Sequence, residues 1–196
     1  MTPELFTGLV LFAFVSSITP GPNNLMLMAS GANFGFRRTV PHMLGVAIGF
    51  VVMVLAMGAG IAGLFQAFPV AREILRVVSV VYLLWLAWKI ANAGAPDGAR
   101  AKSRPMTFLQ AAAFQWVNPK AWAMALTGVT AYTPAGGFGM VLLVGLVFGL
   151  VNLPSVGSWT VAGQQMARLL AQPRRLVMFN RAMAVLLVLS LCPVIA

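Results

Sequence analysis

The chain has 196 residues, of which 60% are hydrophobic and only 8% charged, and its formal net charge is +10. A soluble domain is about 25% charged, so this composition argues against a water-soluble globular protein and excludes a disordered chain. An excess of Lys and Arg favours nucleic-acid binding in soluble proteins. Here the cations lie between apolar runs, where they set orientation in a lipid bilayer, and no nucleic-acid partner is expected.

Six apolar segments follow one another along the chain, each long enough for a membrane helix of about 20 residues. No linker divides them, so we predict a single all-α polytopic membrane domain over residues 1–196. The start MTPELF lacks a basic region and a cleavage site, and it is predicted to belong to a retained first helix. The segments are Leu5–Asn33, Pro41–Leu64, Val70–Ala91, Thr107–Tyr132, Phe138–Met166 and Leu176–Ala196.

Lys and Arg are distributed unequally between the connections. Ten lie in the first, third and fifth connections, against Arg72 and Arg76 in the second and none in the fourth. Because cytoplasmic loops carry the excess of cations, the odd connections are predicted to face the cytoplasm and both termini the outside. The expected location is the plasma (inner) membrane.

Two features recur in each half of the chain in the same order. They are Thr19-Pro20 followed by Gly45 and Gly49, and Asn118-Pro119 followed by Gly145 and Gly149. Three helices per half would enter the membrane from opposite sides, which predicts a 3+3 inverted repeat of about residues 1–98 and 99–196. Chance is the alternative, since Gly and Pro are common in membrane helices. The glycine pairs favour close packing within the chain over dimerisation, and a homodimer stays open.

The first helix is predicted to break at TPGPNN. Pro20 and Pro22 lack a backbone donor and leave the carbonyls of Ser16 and Ile18 unpaired, while Gly21 loosens the backbone between them. A broken helix is tolerated in lipid only where it is buried in protein or lines a cavity. The polar side chains around the break should therefore face the interior: Ser16, Ser17, Thr19, Asn23 and Asn24.

The fourth helix offers a counterpart in VNPKAW. Asn118 is a favoured N-cap and Pro119 suits the first helical position, and Thr19-Pro20 can be interpreted in the same way. Two helix starts inside the membrane would form an anion site. Lys120 costs about 2.5–3.5 kcal/mol at such depth, so it is predicted to meet a substrate carboxylate, or broken-helix carbonyls when no substrate is present. Snorkelling to an interface is the alternative.

Segment five contains a further kink. Pro154 frees the carbonyl of Leu150, and Asn152, Ser155 and Ser158 could line the same cavity; locally satisfied Ser hydroxyls at a Pro kink are the alternative. The five tryptophans are interpreted as interface anchors or packing residues, and His42 as an interfacial residue.

The runs ITPGPNNLMLMASGANFGFRR and VNPKAW, with the start MTP, resemble the LysE/RhtB family of amino-acid exporters. The NN after GP is similar to the branch of cysteine and O-acetylserine exporters. The resemblance implies export of small amino acids or their derivatives from the cytoplasm, driven by the proton gradient. The family's signature positions fall on Pro20, Gly21, Pro22, Asn23, Asn118, Pro119 and Lys120.

The acids Glu4, Glu73 and Asp97 all fall at segment ends or in loops. A cationic substrate would need a buried negative partner, so we predict a neutral zwitterion with its ammonium at freed carbonyls and at Asn23, Asn24 or Asn152. The predicted substrate-binding set is Thr19, Pro20, Gly21, Pro22, Asn23, Asn24, Asn118, Pro119, Lys120, Asn152 and Ser155.

Other functions find little support in the sequence. With one cysteine, Cys192, one histidine, and neither GxSxG nor HExxH, no metal, cofactor or catalytic group is expected. Proton coupling lacks an embedded acid, which leaves Lys120 as proton carrier, substrate-borne protons and simple facilitation open. The alternative class is a non-transporting membrane scaffold, and the exact substrate and coupling stoichiometry are not specified by the sequence.

Overall fold

The computed structural model describes residues 1–61, 67–93, 104–133, 137–170 and 172–192, and within these ranges every regular element is helical. The predicted loop positions of Asp97, Arg100 and Lys102, and the segment ends at Leu64 and Ala196, lie outside the described residues. The α-helices are α1 (Pro3–Ile18), α2 (Pro22–Phe34), α3 (Phe36–Ala56), α4 (Pro69–Ala91), α5 (Phe108–Phe114), α6 (Pro119–Tyr132), α7 (Phe138–Leu169) and α8 (Pro173–Leu189).

Proline starts many of these helices. It occupies the first position of α1, α2, α4, α6 and α8, where its missing N–H would have had no intrahelical partner. Thr107 starts α5 with a capping box, in which its hydroxyl accepts from the Gln110 amide and the Gln110 side chain accepts from the Thr107 amide. Gly35 makes the sharp turn between α2 and α3 with φ of 78°, a backbone region that favours glycine.

Several helices are long and apolar enough to cross a membrane. Within the described residues these are Phe36–Ile61, Glu73–Ala91 and Phe138–Leu169, and α1 with α2 forms a fourth candidate bent by 53°. Large apolar side chains such as Leu11, Val81 and Leu150 stay exposed on their outer faces, as expected for lipid-facing positions. The chain is therefore an all-helical polytopic membrane protein.

Helices from opposite halves of the chain pack on one another. The long helix α7 lies against α1, α2 and α3, while α5 packs on α3 and α4 on α8. Gly45 and Gly49 of α3 face α5, because a Cβ at Gly45 would overlap the Phe108 carbonyl oxygen. Gly145 and Gly149 face α3 in turn. The expectation that these glycines serve packing within the chain is confirmed.

Candidate functional site

The first break separates α1 from α2 over three residues. Thr19 ends α1 with its amide donating to the Val15 carbonyl oxygen at 3.1 Å, and Gly21 caps α2 in an extended conformation (φ −172°, ψ 179°). Pro22, not Pro20, is the first helical residue. The expectation that Thr19-Pro20 starts the half-helix was wrong. A second proline lies two residues later, and it takes the first helical position because the extended Gly21 precedes it.

The carbonyls released at the end of α1 are held by side chains from elsewhere. Trp159 Nε1 of α7 donates to the Ile18 oxygen at 3.0 Å, and Asn24 Nδ2 donates to the Ser17 and Thr19 oxygens at 2.8 and 2.9 Å. Trp159 is thus a partner of the broken helix, and its interpretation as an interface anchor or packing residue missed this bond. An unsatisfied carbonyl inside lipid is costly, so these bonds stabilise the break.

The second break has the predicted cap. After α5 the chain makes one 3₁₀ turn, Gln115–Val117, and Asn118 then caps α6 with its Oδ1 accepting from the Lys120 amide at 3.2 Å. Pro119 occupies the first position of α6, as expected. Trp122 Nε1 donates to the Trp116 carbonyl oxygen at 2.8 Å, which stabilises the turn before the break.

Lys120 joins the two breaks. Its Nζ donates to the Thr19 carbonyl oxygen at 2.6 Å, across a sequence separation of 101 residues. Its aliphatic chain lies over Gly21, where a Cβ would come within 2.7 Å of Lys120 Cδ. The two interruptions are therefore adjacent, with the ammonium of one broken helix on a carbonyl of the other.

A small cavity lies where the breaks meet. Its volume is about 20 Å³, which is room for about one water molecule. Polar residues from both breaks line it together with a few apolar side chains. The lining residues are Ser16, Ser17, Gly21, Asn23, Asn24, Phe50, Asn118, Lys120, Ala121, Met124, Asn152 and Val156. A ligand as large as an amino acid does not fit this volume, so side chains that line the cavity have to move before it can enter.

The predicted site residues divide into two groups. Gly21, Asn23, Asn24, Asn118, Lys120 and Asn152 line the cavity. Thr19 and Pro20 are exposed and do not line it, although the Thr19 carbonyl accepts from Lys120, and Pro22 and Pro119 start the half-helices. Ser155 does not line the cavity. Its hydroxyl donates to the Val151 carbonyl oxygen at 2.8 Å, and the hydroxyl of Ser158 donates to the Ser155 carbonyl oxygen at 2.7 Å. These two serines follow the alternative of local satisfaction at a Pro kink.

Two buried oxygen atoms at the cavity lack a hydrogen-bond partner among the residues that the structure describes. Asn152 Oδ1 and Ser17 Oγ make no hydrogen bond within the described part of the chain, although both residues are about 95% buried. The backbone amides of Gly21, Asn23 and Asn24 lie at the start of α2 and have no intrahelical acceptor. The site thus presents donors with a positive charge next to free acceptors, which suits both ends of a zwitterion.

Gln115 is a site residue that the sequence analysis missed. It is fully buried in the 3₁₀ turn, and its amide pairs with that of Asn23: Asn23 Nδ2 donates to Gln115 Oε1 at 2.8 Å, and Gln115 Nε2 to Asn23 Oδ1 at 3.2 Å. An uncharged polar residue three positions before a helix cap, inside an apolar segment, was the available signal.

His42 is not interfacial. It is 2% exposed inside the helix bundle, and neither ring nitrogen has a hydrogen-bond partner among the described residues. The burial of His42 follows from its position in α3. It lies on the same face as Gly45 and Gly49, one and two turns away, where α3 packs on α5. Over the described ranges no three His, Cys, Asp or Glu side chains cluster as a metal site would require.

Two interrupted helices that meet at a polar cavity in an apolar helix bundle define a class, the membrane carriers with discontinuous helices. The family model of the LysE type translocator matches residues 14–191, and the chain belongs to that family. It is a multi-pass membrane transporter and not an enzyme, and the resemblance inferred from TPGPNN and NPKAW is confirmed.

Curated relatives match nearly the whole chain. Proteins named cysteine/O-acetylserine efflux protein from Escherichia coli strain K12 and from Shigella sonnei strain Ss046 are each 32% identical over 192 residues, covering 96% of both chains. The protein of the same name from Escherichia coli O139:H28 is 31% identical over the same length. No solved structure gives a significant match.

Proposed function

We propose that the chain is a secondary transporter that exports small neutral amino acids or their derivatives from the cytoplasm across the plasma (inner) membrane. The observation that carries this proposal is the ammonium of Lys120, which lines the cavity and donates to the Thr19 carbonyl of the other broken helix. The relatives named cysteine/O-acetylserine efflux proteins support the substrate class.

The substrate carboxylate binds Lys120 and the free amides at the start of α2, where the helix dipole also favours a negative charge. The substrate ammonium binds the Thr19 carbonyl together with Asn152 Oδ1 and Ser17 Oγ, which have no hydrogen-bond partner among the described residues. No carboxylate is among the residues that line the described cavity. A substrate with a second positive charge would find no counter-ion there, so neutral zwitterions are favoured.

The proposed topology is one domain of six spans arranged as a 3+3 inverted repeat, with both termini outside. Its support is the reciprocal packing of the halves: α1 and α2 lie on α7, and α5 lies on α3, which is the corresponding pairing when the halves are exchanged. The pairs α3–α7 and α4–α8 each join equivalent helices of the two halves. The ten-to-two distribution of cations supports the orientation.

Export is proposed to be coupled to the proton gradient. In proteoliposomes, a pH gradient should accelerate substrate movement against its concentration gradient, and a protonophore should remove that acceleration. Movement that only follows the concentration gradient of the substrate, with or without a pH gradient, would argue for simple facilitation instead. A protein that moves none of labelled serine, cysteine, homoserine or threonine would be better explained as a membrane scaffold.

Lys120→Ala is expected to abolish transport while leaving expression and membrane insertion intact, because it removes the charge that holds the carboxylate. The measurement is efflux of labelled substrate from proteoliposomes with equal amounts of protein. Lys89→Ala is the matched control, since Lys89 lies over the exposed ring of Trp85, 4.8 Å from its centroid. Wild-type efflux from the Lys120→Ala protein would rule out the proposed binding mode.

A further inference from the structure

The Thr19 carbonyl differs from the other carbonyls released at the first break. It accepts two hydrogen bonds, from Asn24 Nδ2 at 2.9 Å and from Lys120 Nζ at 2.6 Å, so both of its lone pairs are used. The Ile18 oxygen accepts from the indole of Trp159 and the Ser17 oxygen from the side-chain amide of Asn24, both uncharged and with fewer rotatable bonds than lysine. Thr19 is therefore the point of the break where a flexible, charged group can leave and another cation can replace it.

Lys120 also fills the space that a ligand needs. Its chain lies on Gly21 so closely that a Cβ there would come 2.7 Å from Cδ and 3.2 Å from Nζ. With this side chain in place, the cavity holds only about 20 Å³. Displacement of Lys120 from the Thr19 carbonyl would thus both free an acceptor and enlarge the cavity that Lys120 lines.

We propose that the ammonium of Lys120 is an internal substitute for the ammonium of the substrate. This inference rests on the proposed function. In the empty carrier, Lys120 occupies the Thr19 carbonyl. When a zwitterion enters, its carboxylate draws Lys120 Nζ away and its own ammonium takes the lone pair that becomes free. The carbonyl keeps two donors in both states, and the cavity keeps the same net charge because a zwitterion adds none.

This exchange has a consequence for transport. Without Lys120 the Thr19 carbonyl would keep only the Asn24 amide as donor, and losing a charge-assisted hydrogen bond is costly, more so while the site is closed to water. Because Lys120 removes that cost from the empty carrier, the empty carrier closes and returns as readily as the loaded one. The protein then performs net export and does not require a second amino acid to be carried back.

Gly21→Ala tests the contact without removing any charge. The backbone at residue 21 is extended, which alanine adopts freely, and the new methyl group pushes Lys120 from the Thr19 carbonyl. We expect efflux into substrate-free buffer to fall about tenfold, the equivalent of one charge-assisted hydrogen bond. Exchange against external unlabelled substrate should fall less than about threefold, since it bypasses the return of the empty carrier. Gly139→Ala is the matched control, because a Cβ at Gly139 meets nothing within 4 Å.

Lys120→Arg is the second variant. It keeps the charge for the carboxylate, but its longer planar guanidinium does not fit the position of Nζ in a cavity of this size. The same shift from net efflux towards exchange is expected, and this variant decides the matter if Gly21→Ala does not fold. The inference would be overturned if the folded variants kept the wild-type ratio of net efflux to exchange, whether both modes stay normal or both fall by the same factor.

The two proposals fail separately. Normal transport by Lys120→Ala would contradict both the proposed binding mode and the proposed role of Lys120 as a substitute for the substrate ammonium. If Lys120→Ala is inactive while Gly21→Ala and Lys120→Arg keep the wild-type ratio of the two modes, the binding mode stands and only the substitute is wrong.

Discussion

Gln115 fixes the orientation of a cavity-lining amide. Its Nε2 donates to the Ala111 carbonyl oxygen at 2.9 Å, and since a carbonyl can only accept, the nitrogen must face that way. The Oε1 atom must then accept from Asn23, and Asn23 must present its own oxygen to Gln115 Nε2. The orientation of both amides follows from one backbone carbonyl, and each Asn23 amide atom keeps one further hydrogen-bonding position for a ligand.

Gln115→Leu should weaken substrate binding without stopping transport. It removes all three hydrogen bonds of the Gln115 side chain and lets the amide of Asn23 rotate. Leaving a buried polar group unpaired costs about 1–3 kcal/mol of free energy. The expected result is an apparent KM raised about tenfold or more with kcat changed little, measured from the concentration dependence of efflux.

The exposed Gln165 supplies the control Gln165→Leu. Exchanging the two residues in the double variant Asn23→Gln with Gln115→Asn keeps both amides and should recover part of the lost affinity. An unchanged KM in Gln115→Leu would contradict the positioning role.

At the scale of elements, α2 and α7 touch through their backbones. A Cβ at Gly31 of α2 would overlap the Thr160 carbonyl oxygen of α7, and a Cβ at Gly163 of α7 would overlap the Met28 carbonyl oxygen of α2. Since backbone atoms cannot move aside as a side chain can, these two positions accept only glycine at this helix separation. The contact holds the half-helix that starts at the first break against the helix that carries Asn152 and Trp159.

Gly163→Ala is expected to lower stability. Forcing one methyl group into this contact must separate α2 from α7, which costs about 1–3 kcal/mol. The measurement is the apparent melting temperature of the purified protein in detergent, with Gly139→Ala as control. Equal melting temperatures for the two variants would show that the helices are free to separate.

Sequence reasoning reached the breaks because proline acts locally. Two prolines around Gly21 and the pair Asn118-Pro119 interrupt a helix whatever surrounds them, and the structure has both interruptions. The predicted start of α2 was two residues too early. Pro20 and Pro22 are both able to start a helix, and the extended backbone at Gly21 decides between them. The glycines of α3 and α7 were found because the same pair recurs in both halves, whereas Gly163 has no glycine four residues away and the pair of Gly31 with Gly35 has no counterpart in the second half.

The partners of the breaks could not be predicted in the same way. Trp159 is 141 residues from the Ile18 carbonyl that it holds, and Gln115 is 92 residues from Asn23. Which side chains meet across such separations depends on how the helices pack, and the hydropathy pattern of each segment carries no information on that. His42 was misplaced for the same reason, because its burial comes from the packing of α3 on α5.

At the scale of the whole molecule, the orientation can be tested with the protein's own thiol. Cys192 is the single cysteine of the chain, and it is free and exposed just after α8. With both termini outside, a membrane-impermeant maleimide should label it in intact cells.

Two variants without the native thiol extend the test to other positions. The Cys192→Ala protein with Thr2→Cys should be labelled equally, whereas Cys192→Ala with Arg175→Cys should be labelled only after the membrane is opened. Labelling of Arg175→Cys in intact cells, with Thr2→Cys protected, would reverse the orientation, and labelling of only one terminus would exclude an even number of spans. Agreement between the two termini would establish an even number of spans, which a 3+3 inverted repeat requires.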